Sequence, residues 1–427
     1  MVKKIVRFIV PEPLRWCLYS VLHRFINGRL KQKISTKLNI NKHYTWIFCS
    51  TIGELNACKL LVQHYCNLGN VLLLTDREIY LESFNLQFPN AEVAVLNIDF
   101  RDTAQLMFDY PSQLAIVCEI PALLHDAPCR LSYGVLRTLK KYQVPICLVN
   151  GWLYGYKPAC KQDSIEKLLF EQDYLNCFDL LSVQTEQVKQ TLLANGAETK
   201  KVVVTGNMKY DNLDVSLILT EQTQGLLHVL QQQHSPLFVA GCVTNVWEYQ
   251  LVVSAYVKAK QTLSTLKLII APRHPEKPEQ LTALEGILQQ YDLQYDFKSK
   301  LTTTFTQLKD VLIVDTFGQL KALYSVADTC YVGMNHNILE PLSLNKPVMV
   351  LDNWEKTYPS YPVFEIAVQA KMITVLSDES ALAECIINQH QSTDTEIIQV
   401  IRNKLKQLSG ACSKNIELIK SIFTLET

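Results

Sequence analysis

Short apolar runs alternate with longer stretches of helical periodicity over most of the chain. The first half contains such runs at residues 46–48, 71–74, 93–96, 114–117, 146–149, 180–183 and 202–204. Because these runs are apolar throughout and rich in β-branched residues, they are typical of parallel strands covered by helices on both faces. The first half therefore predicts a doubly wound α/β domain.

A polar, glutamine-rich stretch separates this series from a second one at residues 237–240, 266–270, 311–314, 329–332, 348–351 and 372–375. The repetition predicts an α/β protein of two Rossmann-like domains facing a central cleft, the architecture called GT-B. Ligands of such sheets bind outside the carboxyl ends of the strands. We expect an N-terminal segment 1–34, a first domain 35–215, a linker 216–235, a second domain 236–393 and a C-terminal helix 394–427 packing back on the first domain.

Composition narrows the choice of function. Lys plus Arg equals Asp plus Glu at 41 each, so overall charge gives no reason to expect nucleic acid as a partner. The 13 cysteines lack paired CxxC spacing and mostly lie in apolar runs, which indicates free thiols in a reducing cytosol. With no apolar run of about 20 residues and no signal peptide, we expect a chain that is not exported.

Residues 1–34 combine eight basic residues with Trp16 and Phe25, and Glu12 is their only acid. This composition suits an amphipathic helix on an anionic membrane surface. It suits equally a helix that packs on the core and leaves a basic edge in solvent. Pro11 and Pro13 interrupt any long continuous helix in either case.

Two motifs place charged residues directly after predicted strands. Glu54 follows Gly53 in a strand-to-helix turn, where a carboxylate can act as a base or can simply complement the helix dipole. Arg273 and His274 lie between two prolines in the segment 271–276, and the planar Arg fork suits a phosphate. A surface ion pair with Glu276 is the alternative.

Three further segments have the same placement. Residues 333–341 form an Asn-rich turn whose following helix would offer backbone N–H groups to an anion, with Glu340 able to accept from a ribose. Residues 315–319 contain Gly318 after another strand. Lys209, in the segment 205–211, can reach an anion or can serve as an interdomain structural link.

Taken in order, these motifs resemble the signatures of the 3-deoxy-D-manno-octulosonic acid (Kdo) transferases of lipid A biosynthesis, glycosyltransferase family 30. The similarity runs from about residue 46 to residue 375. It implies inverting transfer of Kdo from cytidine monophosphate-Kdo (CMP-Kdo) to a lipid A precursor, at the inner face of the cytoplasmic membrane, without a bound metal or other cofactor. A single positioned carboxylate suffices for such a displacement.

The resemblance also implies roles for individual residues. Glu54 would be the general base, and Glu119 would keep the first carboxylate of the family's paired acidic motif. The donor nucleotide would be held by Lys209, Arg273, His274, Gly318, Asn335, His336, Asn337 and Glu340.

Four departures from the family pattern bear on substrate choice. The second carboxylate after Glu119 is missing, Trp152 replaces an arginine, Gln319 replaces a glutamate, and the glycine-rich loop is shortened to residues 333–335. These changes are compatible with another nucleotide sugar, another glycolipid acceptor or lost activity. A catalytically silent relative that binds a nucleotide sugar or lipid, and a GT-B nucleotide-sugar epimerase, are the alternatives.

Overall fold

A computed structural model describes residues 10–26, 42–96, 100–119, 122–126, 131–213, 219–302, 305–356, 358, 360–391 and 395–423. The chain divides into two compact units. Unit 1 comprises Met1–Asn212 and Leu408–Thr427, and unit 2 comprises Leu213–Gln407. The calls on residues 1–9 and 27–34 of the N-terminal segment lie outside the described residues.

Unit 1 is built on a seven-stranded parallel sheet. Its strands are β1 (Tyr44–Phe48), β2 (Asn70–Thr75), β3 (Glu92–Val95), β4 (Ser112–Cys118), β5 (Ile146–Gly151), β6 (Leu180–Val183) and β7 (Val202–Val204). Their order is β3-β2-β1-β4-β5-β6-β7. The order reverses direction between β1 and β4, which creates the crevice in which ligands of doubly wound sheets bind.

Helices cover both faces of this sheet. They are α1 (Glu12–Ile26), α2 (Ile52–Ala57), α3 (Lys59–Leu68), α4 (Leu81–Gln87), α5 (Phe100–Asp109), α6 (Tyr133–Lys141), α7 (Lys161–Cys177) and α8 (Glu186–Ala194). Alternate residues of β1 enter different cores: Trp46 and Phe48 pack on one face, and Ile47 packs on the other. This two-sided burial explains why the strands are apolar throughout.

Unit 2 repeats the design. Its strands are β8 (Leu237–Val243), β9 (Lys267–Pro272), β10 (Tyr295–Phe297), β11 (Val311–Ile313), β12 (Thr329–Val332), β13 (Val348–Leu351) and β14 (Thr374–Leu376). The parallel order is β10-β11-β9-β8-β12-β13-β14, with the reversal between β8 and β12.

The helices of unit 2 are α9 (Glu221–Gln232), α10 (Val246–Thr262), α11 (Pro278–Gln290), α12 (Leu320–Val326), α13 (Leu339–Ser343), α14 (Tyr361–Gln369), α15 (Glu379–Gln391) and α16 (Thr395–Leu408). The stretch predicted as a linker, 216–235, contains α9. Helix α9 buries Leu226 and Leu230, and its Gln222 donates to the Leu301 carbonyl at 2.9 Å. Those contacts make α9 a part of unit 2.

The C-terminal segment 394–427 contains two helices rather than one. Helix α16 lies almost entirely in unit 2, and α17 (Ala411–Ile422) belongs to unit 1. The Asp211 carboxylate accepts hydrogen bonds from the Gly410 and Cys412 backbone N–H groups, the latter at 2.6 Å. Ala411, Cys412 and Ile419 join the unit 1 core. Asp211 thus caps the N-terminus of α17.

Helix α1 has features of both interpretations of the N-terminal segment, the helix packed on the core and the helix on a membrane surface. Tyr19 is buried, and Arg15 is not a solvated basic residue, because it forms a buried ion pair with Asp173 at 2.9 Å. The side chains of Leu14, Leu18, Val21 and Leu22 are nevertheless 46–65% exposed. None of the helices in the described part of the chain is long and apolar enough to cross a membrane.

Candidate functional site

Glu54 and Glu119 lie at the carboxyl ends of β1 and β4, the two strands between which the sheet order of unit 1 reverses. Glu54 occupies the first turn of α2 and is 6% exposed. Its Oε2 accepts the Thr51 N–H at 2.6 Å and also contacts the Thr51 hydroxyl, which completes a capping box. The helix-stabilising interpretation of Glu54 therefore holds, and it does not exclude a second role.

The Glu54 carboxyl group has a raised pKa of about 7. Burial is the main cause because it penalises the charged form, and the charge of Glu119 adds to it. Hydrogen bonds from backbone N–H groups and the charge of Lys209 act in the opposite direction. A carboxylate with this pKa is matched to proton abstraction near neutral pH.

Glu119 is 2% exposed and has a left-handed backbone, with φ of 60°. Such a backbone costs a non-glycine residue about 1 kcal/mol or more and is concentrated at functional sites. Its Oε1 accepts from Lys209 Nζ at 2.6 Å and from the Tyr154 hydroxyl at 3.4 Å. Its Oε2 is buried without a hydrogen-bond partner among the described residues. The buried carboxylates Glu54 and Glu119 and the partly exposed Lys209 form one charge cluster.

Two residues that sequence reasoning did not assign to the site hold this cluster in place. Asn150, at the end of β5, has a left-handed backbone with φ of 55° and accepts the Met208 N–H at 2.8 Å. That bond fixes the 3-10 turn Met208–Asp211, which carries Lys209. Tyr154 contacts Glu119 through its hydroxyl, as described above. The position of Asn150 at the end of a predicted strand could have indicated its role. No pattern in the neighbouring sequence distinguishes Tyr154.

Unit 2 brings together a second group at the carboxyl ends of its central strands. Arg273 follows β9 and donates to the Tyr358 hydroxyl at 2.7 Å, with the guanidinium over the Tyr358 ring. His274 pairs with Glu276 at 3.0 Å, and both side chains are at least 42% exposed, so the predicted surface pair is present.

His336 is half-buried, and its Nε2 has no hydrogen-bond partner among the residues described. Burial lowers the pKa of His336 to about 3, and the charges of Arg273 and His274 contribute. The imidazole is therefore neutral at physiological pH and lies near both residues. Arg273, His274 and His336 form one cluster in unit 2.

The turn after β12 differs in detail from the prediction. Asn335 is buried, with φ of 64°, and its side chain accepts the Glu355 N–H at 2.8 Å. Asn337 accepts the Leu339 N–H at 3.1 Å, so one of the first N–H groups of α13 is already engaged. Helix α13 has five residues, and Glu340 sits in its first turn. The helix that was expected to offer its N-terminal N–H groups to an anion is therefore only a short turn.

Glu340 lies next to this turn. Burial raises its pKa, while Lys321 and Asn337 oppose the shift. Gly318 has φ of 87°, in the left-handed region that favours glycine, and an added Cβ would meet open space. Gln319, the replacement for the family's glutamate, contacts Thr316 at 2.7 Å.

Glu248 in unit 2, which sequence reasoning missed, is fully buried, at 0% exposure. Its carboxylate accepts from the Thr244 N–H at 2.6 Å, the Tyr331 hydroxyl at 2.7 Å and the Met334 N–H at 3.1 Å. It therefore ties the loop after β8 to the loop after β12. Asn245 caps α10 with Glu248 three residues later, a capping-box spacing that could have been recognised.

Comparison with known proteins confirms the predicted fold class and the predicted resemblance. A crystal structure of a glycosyltransferase from Rickettsia africae matches with a TM-score of 0.58 at 13% identity, over 91% of this chain and 100% of that one. Other solved structures of the same fold are titled UDP-GlcNAc 2-epimerases. These likenesses show the α/β, GT-B fold class and do not distinguish between activities.

Sequence relatives are more specific. A family model described as 3-deoxy-D-manno-octulosonic-acid transferase (kdotransferase) matches residues 130–212. A 3-deoxy-D-manno-octulosonic acid transferase of Chlamydophila psittaci is 32% identical over 54% of this chain and 52% of its own length. A bifunctional glycosyltransferase/methyltransferase of Fusobacterium nucleatum is 25% identical over 76% of this chain and 49% of its own length. The chain thus spans about half the length of these two curated relatives.

Proposed function

We propose that the protein is a glycosyltransferase that moves Kdo or a related acidic sugar from its CMP-activated donor to a lipid A precursor or a similar glycolipid. The observation that carries the proposal is the charge cluster of Glu54, Glu119 and Lys209, in which the pKa of Glu54 is about 7. The similarity to Kdo transferases supports the choice of sugar and acceptor.

In the proposed reaction, the Glu54 carboxylate takes the proton of the acceptor hydroxyl as that oxygen attacks the anomeric carbon of the donor. The bond between the anomeric carbon and the phosphate oxygen breaks on the opposite face, and CMP leaves. The product is inverted at the anomeric carbon. The transfer step uses no metal, because cationic side chains can stabilise a monophosphate leaving group.

The remaining residues bind and orient substrates in this scheme. Lys209 uses one of its three N–H donors on Glu119 and has two for an anionic substrate group. Arg273 would contact the donor phosphate through its planar fork, with neutral His336 beside it. Glu340 would accept from the ribose hydroxyls, with Asn335, Asn337 and Gly318 shaping the loops around the nucleotide.

Transfer of radiolabelled Kdo, generated in situ as its cytidylate, to tetra-acylated lipid A precursor tests the proposal. We expect the purified protein to form product and Glu54→Ala to lose about 10²-fold or more of the rate, the usual contribution of a general base. Glu82→Ala, which removes an exposed carboxylate from α4 in the same unit, is the matched control and should retain the rate.

Absence of transfer by folded wild-type protein would contradict the proposed donor and acceptor. Conversion of UDP-GlcNAc under the same conditions would then favour the epimerase alternative. Calorimetry showing no binding of CMP or UDP would favour the catalytically silent relative.

A further inference from the structure

A group of three buried side chains in unit 1 lies outside the proposed transfer machinery. His125, Asp163 and Glu166 are 5%, 4% and 1% exposed, and one ligand atom from each lies within 4.8 Å of the other two. Asp163 and Glu166 are three residues apart on α7, a spacing that places both carboxylates on one face of the helix. His125 approaches from the loop that follows β4.

The contacts within this group join one imidazole to two carboxylates. His125 Nε2 lies 2.9 Å from Glu166 Oε2, and Nδ1 lies 3.9 Å from Asp163 Oδ1. Among the residues that the structure describes, His125 is the ion-pair partner of both carboxylates. Buried carboxylates in proteins are paired with cations or coordinate metals, so this group has the composition of a metal site.

The donor set selects a class of metal. One imidazole nitrogen and two carboxylate oxygens suit a divalent first-row transition ion, while Mg²⁺ and Ca²⁺ prefer oxygen ligands alone. Ligands at about 2.1 Å from an ion lie roughly 3 Å apart when adjacent, which matches the 2.9 Å separation of His125 and Glu166. The 3.9 Å contact of Asp163 is with the other ring nitrogen, Nδ1, so the Asp163 side chain or the imidazole must move before all three residues can bind one ion.

We propose that His125, Asp163 and Glu166 bind one divalent transition-metal ion, Zn²⁺ or Mn²⁺, as a structural site in unit 1. Glu166 is already oriented, since its Oε1 accepts the Tyr133 N–H at 2.8 Å and leaves Oε2 for the ion. The ion takes no part in the proposed transfer step.

The site connects to the candidate active site through neighbouring residues. Asp126, adjacent to His125, accepts the N–H groups of Tyr154 at 2.8 Å and Gly155 at 3.1 Å. The Tyr154 hydroxyl in turn donates to Glu119. A bound ion would therefore hold in place the loop that supports Glu119.

Metal binding to the full chain tests this site directly. Protein stripped with a chelator is titrated with Mn²⁺ and followed by electron paramagnetic resonance, because thiols bind Mn²⁺ weakly and the cysteines should not interfere. Zn²⁺ binding is measured in parallel by elemental analysis after gel filtration. We expect one equivalent of metal per chain and a rise in the thermal midpoint.

Asp163→Asn and Glu166→Gln conserve side-chain shape and should weaken binding at least tenfold and abolish the metal-dependent thermal shift. His228→Ala, on α9 in unit 2, is the control for nonspecific histidine binding and should bind as the wild type does. The proposal would be overturned if the folded variants bound metal as tightly as the wild type. It would also be overturned if stripped wild-type protein bound less than one equivalent of Mn²⁺ and less than one equivalent of Zn²⁺. Neither result depends on transferase activity.

Discussion

Glu54 shows how a neighbouring cation opposes the pKa shift of a buried carboxyl group. Lys209 lies 2.6 Å from Glu119, and its charge also lowers the pKa of Glu54, opposing burial and the Glu119 charge. A base with a pKa of about 7 must lose its proton before it can act, so the logarithm of kcat/KM should rise with pH up to about 7 and then level off.

Removing the positive charge of Lys209 should shift the pH profile of kcat/KM to higher pH. In Lys209→Met the pKa of Glu54 should rise further above 7, because two buried carboxylates lose their neighbouring positive charge. We expect the acid limb of the kcat/KM profile to shift upward by about one pH unit, with more activity lost at pH 6 than at pH 8.5.

The control for this shift is Lys141→Met, which removes an exposed lysine at the end of α6 in the same unit. It should leave the acid limb unchanged. An unshifted limb in Lys209→Met would show that another group sets the profile.

The site residues that were predicted from the sequence are those whose position after an apolar strand can be recognised. Glu54 and Arg273 follow apolar strands directly, and the structure places both at carboxyl ends of strands. Tyr154 and Glu248 act through contacts with residues distant in sequence, such as Tyr154 with Glu119, and no local pattern reports such contacts. The catalytic and binding roles of the predicted residues stay predictions until they are measured.

Among elements, the loop after β12 packs directly against the end of strand β8. The Gly333 N–H donates to the Gly241 carbonyl at 2.9 Å, and a Cβ added at Gly333 would lie 2.1 Å from the Cys242 carbonyl oxygen. Glu248 joins the loop after β12 to the loop after β8. Only a residue without a side chain fits at position 333.

Gly333→Ala should therefore push the loop after β12 away from the end of β8. We expect destabilisation on the order of 2 kcal/mol or more, because backbone rather than a flexible side chain must move. CMP affinity should fall with it, since the displaced turn carries Asn335 and His336. Chemical unfolding and calorimetry measure the two effects.

Gly286→Ala is the matched control, because a Cβ there meets open space within α11. It should be neutral or slightly stabilising. Equal CMP affinity in wild type and Gly333→Ala would show that this turn does not contact the nucleotide.

The strands were more predictable than their connections. Thirteen apolar runs predicted strands, and each overlaps one in the structure. Strand β10 was not predicted. Tyr295–Phe297 is a short, half-buried strand at the sheet edge and lacks a continuous apolar run. Helix α9 was not predicted because its sequence is rich in glutamine. Only Thr223, Leu226 and Leu230 mark its buried face.

At the scale of the whole molecule, α1 presents an apolar stripe on unit 1, formed by Leu14, Leu18, Val21 and Leu22. The basic residues of the segment 1–34 accompany this stripe in the sequence. An exposed apolar stripe in a segment whose sequence is rich in basic residues is typical of association with an anionic membrane surface. We propose that the chain binds the cytoplasmic membrane face peripherally through it.

Flotation with vesicles containing anionic lipid tests this proposal. The double variant Leu18→Glu/Leu22→Glu should reduce vesicle binding about tenfold or more, since it replaces the exposed apolar area that would enter the membrane with charge. Leu86→Glu/Phe108→Glu alters apolar residues elsewhere in unit 1 that are more exposed still and is the control. Equal loss in both double variants would argue against a specific role for α1.

The capping of α17 by Asp211 has a consequence for synthesis of the protein. The strands of unit 1 are all translated by residue 204, yet the Cys412 N–H that Asp211 accepts comes 201 residues after it. At roughly 5–20 residues per second, a nascent chain would wait about 10–40 s for that helix. During that interval the core surface that later receives Ala411, Cys412 and Ile419 stays uncovered. Translation speed and chaperone supply should therefore affect the yield of folded protein.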